Sequence, residues 1–143
     1  MAILQTKDQE AVRKEFERLT GPVKLVVFSQ ELVAADLCRQ NEQLMKEVAA
    51  LSDKITLEVL NPQIERTRAE AYGGVTDVPL TIVEGARDYG IRFLGIPAGY
   101  EFSNLIDAII ATSRGEAGLS EETMATLATL PGEVEIKVFS TPT

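Results

Sequence analysis

The side chain best suited to covalent chemistry in this sequence is the thiol of Cys38. It is the only cysteine, and the sequence contains no histidine. A cysteine early in a helix that follows a buried strand is the layout of a thiol–disulfide site, because the unpaired amides and the helix dipole stabilise a thiolate there. Such a site uses two cysteines, and the position where the pair would start holds Ala35. A disulfide within the chain is therefore excluded.

The absence of histidine narrows the other chemistry that the chain can perform. A Cys/His zinc site is excluded, and so are the Ser–His and Cys–His pairs that activate nucleophiles. No pair stands out among the 22 acidic residues, which we interpret mostly as solvated helix faces. Gly95 and Gly99 lack the spacing of a dinucleotide-binding loop. We therefore expect neither a metal nor a cofactor.

Two elements position Cys38. The run Val23–Phe28 is apolar and β-branched, which predicts a strand buried on both faces. After a short loop the pattern changes period, and Leu37, Leu44 and Val48 recur at helical spacing up to about residue 51.

The remaining chain alternates between helical and strand patterns. The sequence predicts helices over about 8–18, 64–72, 102–110 and 121–130, and strands over Ile55–Leu60, Val78–Val83, Tyr89–Leu94 and Val134–Phe139. The order is a helix, then β-α-β-α-β-β-α, then an extra helix and strand. The β-α-β opening requires a parallel pair with a right-handed crossover, and the β-β-α ending supplies an antiparallel pair. This predicts an α/β protein with a central mixed sheet and helices on both faces.

The last strand repeats the first. Residues 130–140 read L-P-G-E-V-E-I-K-V-F-S, beside L-T-G-P-V-K-L-V-V-F-S at 19–29. Each copy follows a polar helical segment, so the repeat predicts one unit over residues 1–118 and the start of a second over 119–143. The alternative is a chance match between two apolar strands that each follow a glycine turn.

Composition excludes several partners. The net charge of −8 argues against nucleic acid and anionic membranes, since both require a basic face. No apolar run has the length of a membrane span, and the first residues lack the pattern of a signal peptide. We therefore expect a cytoplasmic protein.

The loop before the fourth predicted helix carries a family resemblance. Residues 93–102, F-L-G-I-P-A-G-Y-E-F, resemble the F-G-x-P-x-G-H-E-F segment of the glutaredoxin-like protein disulfide oxidoreductases, which carry two thioredoxin units in tandem. A related segment occurs in the N-terminal domain of the flavoprotein component of alkyl hydroperoxide reductase, also a double unit. The resemblance implies a thioredoxin-like fold over 1–118. Residues 119–143 would be the first helix and strand of a second unit, truncated before its Cys-Xaa-Xaa-Cys.

The resemblance also implies roles for individual residues. The family's first motif falls on residues 35–38, so that Ala35 occupies the place of the attacking cysteine and Cys38 that of the shielded resolving cysteine. The Val78-Pro79 bond is expected to be cis and to present backbone groups to an extended peptide substrate. The alternative is a trans proline at the start of an edge strand.

Cys38 itself has two interpretations. It is either a one-cysteine redox or glutathionylation site, or a small buried core residue. We favour the buried residue and expect slow reaction with thiol reagents.

Two functional hypotheses follow. In the first, the chain is the redox-silent first unit of a thiol–disulfide oxidoreductase acting in cell redox homeostasis, with the active dithiol beyond Thr143. In the second, it is a stand-alone thioredoxin-like binding or dimerisation module, whose 119–143 segment pairs with its own sheet or with another copy. Either way, this chain alone is expected to be inactive as a dithiol enzyme. Its expected partner is a polypeptide or a redox protein.

Overall fold

The fold is built on a four-stranded mixed sheet, seen in a computed structural model that describes residues 2–141. The strands are β1 (Val23–Phe28), β2 (Ile55–Leu60), β3 (Leu80–Glu84) and β4 (Asp88–Leu94), in the order β2-β1-β3-β4. β1 pairs with β2 in parallel and with β3 antiparallel, and β3 and β4 form an antiparallel hairpin. The predicted mixed sheet is thus present, with β1 at an interior position.

Five helices accompany the sheet in the described part of the chain: α1 (Thr6–Phe16), α2 (Ala35–Ala49), α3 (Arg66–Ala71), α4 (Glu101–Arg114) and α5 (Glu121–Leu127). The first, second and fourth cover one sheet face, and α3 lies on the other, which agrees with the prediction of helices on both faces. Among residues 2–141, no helix has the length and hydropathy needed to cross a bilayer.

The alternation of side chains along β1 divides the core in two. Val23, Leu25 and Val27 pack with the apolar stripes of α1, α2 and α4, whereas Val26 and Phe28 face α3. These five side chains are at most 1% exposed. The apolar run of β1 therefore has a simple physical reason, because a strand covered on both faces needs apolar residues at every position but its edges.

Asn61 and Ser120 each precede a helix, but only Ser120 caps the helix that follows it. The Asn-Pro pair at 61–62 predicts a helix capped by Asn61, but its side chain accepts a hydrogen bond from the Gln63 amide at 2.9 Å, and α3 begins only at Arg66. Asn61 therefore forms a local turn, which competes with helix capping for the same oxygen. Ser120, in contrast, caps α5, because its side-chain oxygen accepts a hydrogen bond from the Thr123 amide at 3.1 Å.

The predicted strand Val134–Phe139 does not pair with the sheet. The segment does not form a β-strand in the structure. Its apolar side chains are 81–90% exposed at Ile136, Val138 and Phe139. A strand needs a partner for its backbone groups, and the apolar pattern alone does not supply one.

The turn before β1 is hydrogen-bonded to the end of α4. The Ser113 hydroxyl, at the end of α4, donates to the Gly21 carbonyl at 2.7 Å and accepts from the Thr20 and Gly21 amides at 2.9 and 3.0 Å. A Cβ on Gly21 would lie 2.9 Å from the Ser113 carbonyl oxygen, so glycine is needed for this close approach.

Candidate functional site

The topology brings the sequence-predicted site residues to one end of the sheet. Phe28, the last residue of β1, pairs with Leu80, the first residue of β3. The chain enters α2 shortly after Phe28, and Pro79 directly precedes Leu80. The start of α2 and the Val78-Pro79 bond therefore lie at the same end of the sheet. That bond is cis, and β3 is an interior strand rather than an edge strand.

The N-terminus of α2 carries no nucleophile. Ala35 is its first residue, and Ala34 before it adopts a left-handed conformation with φ of 50°. No side chain caps the helix, so its first amides are not satisfied by a capping oxygen. A methyl group thus stands where thiol chemistry would need a sulfur atom.

Cys38 lies inside the core. Its side chain is 0% exposed, and the Sγ atom is 3.7 Å from the Val33 carbonyl oxygen. The predicted apolar stripe of α2 is wrong at one position, because Leu37 is 49% exposed and Cys38 takes the buried place instead. The inward stripe consists of the buried residues Cys38, Asn41, Leu44, Met45 and Val48, so the prediction for Leu44 and Val48 is confirmed.

A buried polar pair lies one turn beyond Cys38. The Asn41 amide donates to the Thr81 hydroxyl at 3.0 Å, and both side chains are 0% exposed. The neighbouring Ser29 hydroxyl donates to Glu42 at 2.5 Å. Sequence reasoning missed both pairs, although a polar residue in an otherwise apolar stripe was a visible signal at Asn41.

A groove runs beside the start of α2. It has a volume of about 610 Å³, and its lining includes Ile3, Leu37, Gln40, Leu94, Ile96 and Glu101. The Gly95 amide in the same loop donates to the Pro79 carbonyl at 2.9 Å, which joins the groove to the cis-proline. Leu37, outward-facing on α2, thus belongs to a surface rather than to the core.

Glu47 ties α2 to the N-terminal segment, residues 2–5, which precedes α1. Its carboxylate accepts hydrogen bonds from the Ile3 and Leu4 amides at 2.8 and 2.7 Å and from the Gln43 side chain at 2.8 Å. Desolvation by itself raises the pKa of Glu47, but these hydrogen bonds together outweigh it and lower the pKa below its ordinary value.

No group of three or more metal-ligating side chains occurs in the region that the structure describes, residues 2–141. The candidate site combines an apolar groove, a cis-proline and a buried thiol.

Comparison with known proteins agrees with this geometry. No family model matches the sequence. The AhpF component of alkyl hydroperoxide reductase from Escherichia coli is 23% identical over 137 residues, which are 96% of this chain and 24% of that protein. An NADH dehydrogenase of Ferdinandcohnia aciditolerans is 28% identical over 121 residues, 84% of this chain and 20% of that protein. The chain thus spans about a quarter or less of the length of these curated relatives.

Two solved structures share the fold. The NTD_N/C domain of alkylhydroperoxide reductase AhpF from Enterococcus faecalis superposes with a TM-score of 0.79 at 25% identity, over 90% of this chain and 61% of that one. A protein disulfide oxidoreductase from Aeropyrum pernix gives 0.79 at 24% identity, over 92% and 57%. The chain is therefore an α/β protein of thioredoxin-like fold, homologous to the N-terminal domain of AhpF and similar in fold to a protein disulfide oxidoreductase.

Proposed function

We propose that this chain is a redox-silent thioredoxin-like unit of a thiol–disulfide oxidoreductase system in the cytoplasm. It contributes a surface that binds a polypeptide or redox-protein partner, and it performs no disulfide exchange of its own. The observation that carries the proposal is the pairing of Ala35 at the helix N-terminus with a Cys38 that is 0% exposed.

The chemistry of exchange supports redox silence. A thiolate must reach the sulfur of a disulfide, and the mixed disulfide must then be resolved by a second thiol. Here the exposed position holds a methyl group, and the single thiol has no route to an incoming sulfur while it stays buried. Residues 119–143, as the start of a second unit, would then lead towards the unit that carries the dithiol.

The groove supports partner binding. Leu37 and Leu94 are 49% and 61% exposed, and Leu32 in the loop before α2 is 94% exposed. Apolar side chains gathered at one end of a sheet are typical of interaction surfaces. An extended polypeptide laid beside Val78 and Pro79 could use the backbone groups there and bury these side chains.

The reactivity of the Cys38 thiol tests the proposal that the chain performs no disulfide exchange. A chromogenic disulfide reagent should modify Cys38 slowly in the native protein and rapidly after guanidinium unfolding. The native protein should also fail to accelerate insulin reduction by dithiothreitol. Fast native modification, or measurable catalysis of insulin reduction, would contradict the proposal.

A second candidate function is homodimerisation through the 119–143 segment. The observation that favours it is the exposure of apolar residues along that segment: Met124, Leu127, Leu130, Val134, Ile136, Val138 and Phe139 are 44–90% exposed. An unpaired apolar strand is a template for pairing with another chain.

Sedimentation velocity tests this second candidate. The protein should sediment as a dimer, and the double variant Ile136→Glu, Phe139→Glu should sediment as a monomer with an unchanged circular dichroism spectrum. The matched control is Glu135→Gln, which lies in the same segment and should leave the dimer intact. A native protein that remains monomeric at high concentration would exclude this function.

A further inference from the structure

We infer that the N-terminal segment is a wall of the partner-binding groove, held there by Glu47, and that the groove takes an extended polypeptide with an apolar side chain next to a lysine or arginine. This inference rests on the proposed binding function and adds to it a residue that positions the surface and the chemistry of the partner.

The segment is held by backbone contacts across a long sequence separation. Ile3 and Leu4 donate their amides to a carboxylate 44 and 43 residues away, and the Gln9 side chain donates to the Leu4 carbonyl at 3.0 Å. Leu4 is only 8% exposed and belongs to the core, which fixes the segment's direction. Charge-assisted hydrogen bonds to backbone amides are among the stronger ones in proteins.

This anchoring puts an apolar side chain on the groove. Ile3 is 43% exposed and lines the groove together with Leu37 and Ile96, which come from α2 and from the loop after β4. Ser140, from the segment after α5, also lines the groove, so parts of the chain that are far apart in sequence meet around one mainly apolar space. The Ile3 amide is bound by the Glu47 carboxylate in this position, so loss of the carboxylate should release Ile3 from the groove.

The charge around the groove selects the partner. Glu101 lines the groove, and no cation among residues 2–141 forms an ion pair with it. The chain carries a net charge of −8. A cationic side chain beside the buried apolar one would pair with Glu101 and gain from the overall field.

The wall is tested first without any partner. In a Cys38→Ala background, a nitroxide is attached at Ile3→Cys, and the methyl signals of Leu37 and Ile96 are observed by NMR. The nitroxide should broaden both signals when Glu47 is present and much less in the Glu47→Ala variant. Glu10→Ala, on the exposed side of α1, is the matched control and should keep the broadening. If the signals are not broadened in the protein that keeps Glu47, or are broadened equally in Glu47→Ala, the N-terminal segment is not held against the groove by Glu47.

Binding is tested with dye-labelled, cysteine-free decapeptides by fluorescence anisotropy. The probes have a Gly-Ser sequence around a central Leu-Lys, Leu-Glu or Ser-Lys pair. The Leu-Lys peptide should bind most tightly, and Ile3→Ser or Glu47→Ala should weaken it roughly tenfold, because an apolar contact is lost. Glu10→Ala should bind as the native protein does, and Glu101→Gln should remove the preference for lysine over glutamate.

The groove wall and polypeptide binding are contradicted by different results. If the Leu-Lys peptide binds equally to the native protein, Ile3→Ser and Glu47→Ala, the wall is wrong while polypeptide binding stands. If no peptide binds the native protein, the proposed binding function is wrong, and with it the choice of partner.

Discussion

The side chains of Asn41 and Thr81 form a hydrogen bond of 3.0 Å between α2 and β3, and both are 0% exposed. The Asn41 side-chain oxygen has no partner within the described part of the chain. This polar contact joins α2 to β3 inside the core, one helical turn beyond Cys38 in the sequence.

Removing one partner of this bond should cost more than removing both. Thr81→Val should lower the free energy of unfolding by about 1–3 kcal/mol, because the Asn41 amide is left buried and unpaired. The double variant Asn41→Leu, Thr81→Val should recover part of that loss. Urea unfolding followed by circular dichroism measures both, and a double variant less stable than Thr81→Val would contradict this account.

Ala34 should be replaceable by glycine with a gain in stability. Its φ of 50° lies in the left-handed region, where a Cβ is unfavourable. Ala34→Gly should raise the free energy of unfolding by about 0.5–1 kcal/mol, since the strain that the Cβ causes exceeds the extra backbone entropy. The matched control is Ala50→Gly at the other end of α2, where φ is −70° and the same change should destabilise. Denaturant midpoints that move the same way in both variants would refute the prediction.

Tyr72 should titrate above the usual range of tyrosine. Burial is the largest cause that raises its pKa, and the hydrogen bond that its hydroxyl donates to Glu84 at 2.5 Å raises it further. The folded-state pKa of Tyr72 exceeds the ordinary value of 10.0, so its protonated form stabilises the folded protein. This contribution to the free energy of unfolding is fully present below pH 10.0 and is lost as the pH rises through the folded-state pKa.

The ring-carbon chemical shift of Tyr72 measures this titration directly. Glu84→Gln should lower the pKa of Tyr72, because the hydrogen-bond acceptor then carries no charge. Tyr72→Phe should flatten the loss of stability at alkaline pH. A Tyr72 pKa that is unchanged in Glu84→Gln would show that burial alone accounts for the shift.

A single substitution should restore dithiol chemistry. Ala35→Cys places a thiol at the first position of α2, where the unpaired amides favour a thiolate, three residues before Cys38. The variant should form a disulfide within the chain and accelerate insulin reduction by dithiothreitol. Ala35→Ser is the control and should remain inactive. A disulfide that forms without any catalysis would mean that the surface around α2 no longer accepts a disulfide substrate.

The first two strands were predictable from the sequence, whereas the apolar stripe of α2 was predicted wrongly at its first position. β1 and β2 have the bounds that the sequence predicts, because β-branched runs between turn residues have few other uses. In α2, Leu44 and Val48 are buried as their spacing predicts, but Leu37 is exposed. Cys38 and Asn41 are buried instead. Only the pairing of Asn41 with Thr81 across 40 residues makes that polar position a buried one.

The site was predictable only where it depends on local sequence. The positions of Ala35, Cys38 and the Val78-Pro79 bond followed from a motif. The groove was not predictable, because its walls come from Ile3, α2, the loop after β4 and Ser140. Backbone amides bound by Glu47 also leave no pattern in the sequence.

The fastening of Ser113 to Gly21 has a consequence for a chain still being synthesised. The hydrogen bonds join residues 92 and 93 positions apart, so the amides of Thr20 and Gly21 are hydrogen-bonded to water until Ser113 has left the ribosome. β1 emerges early, yet α4 and β3, which complete its surroundings, follow it. The surroundings of β1 therefore consist of contacts distant in sequence, and their assembly must wait for α4.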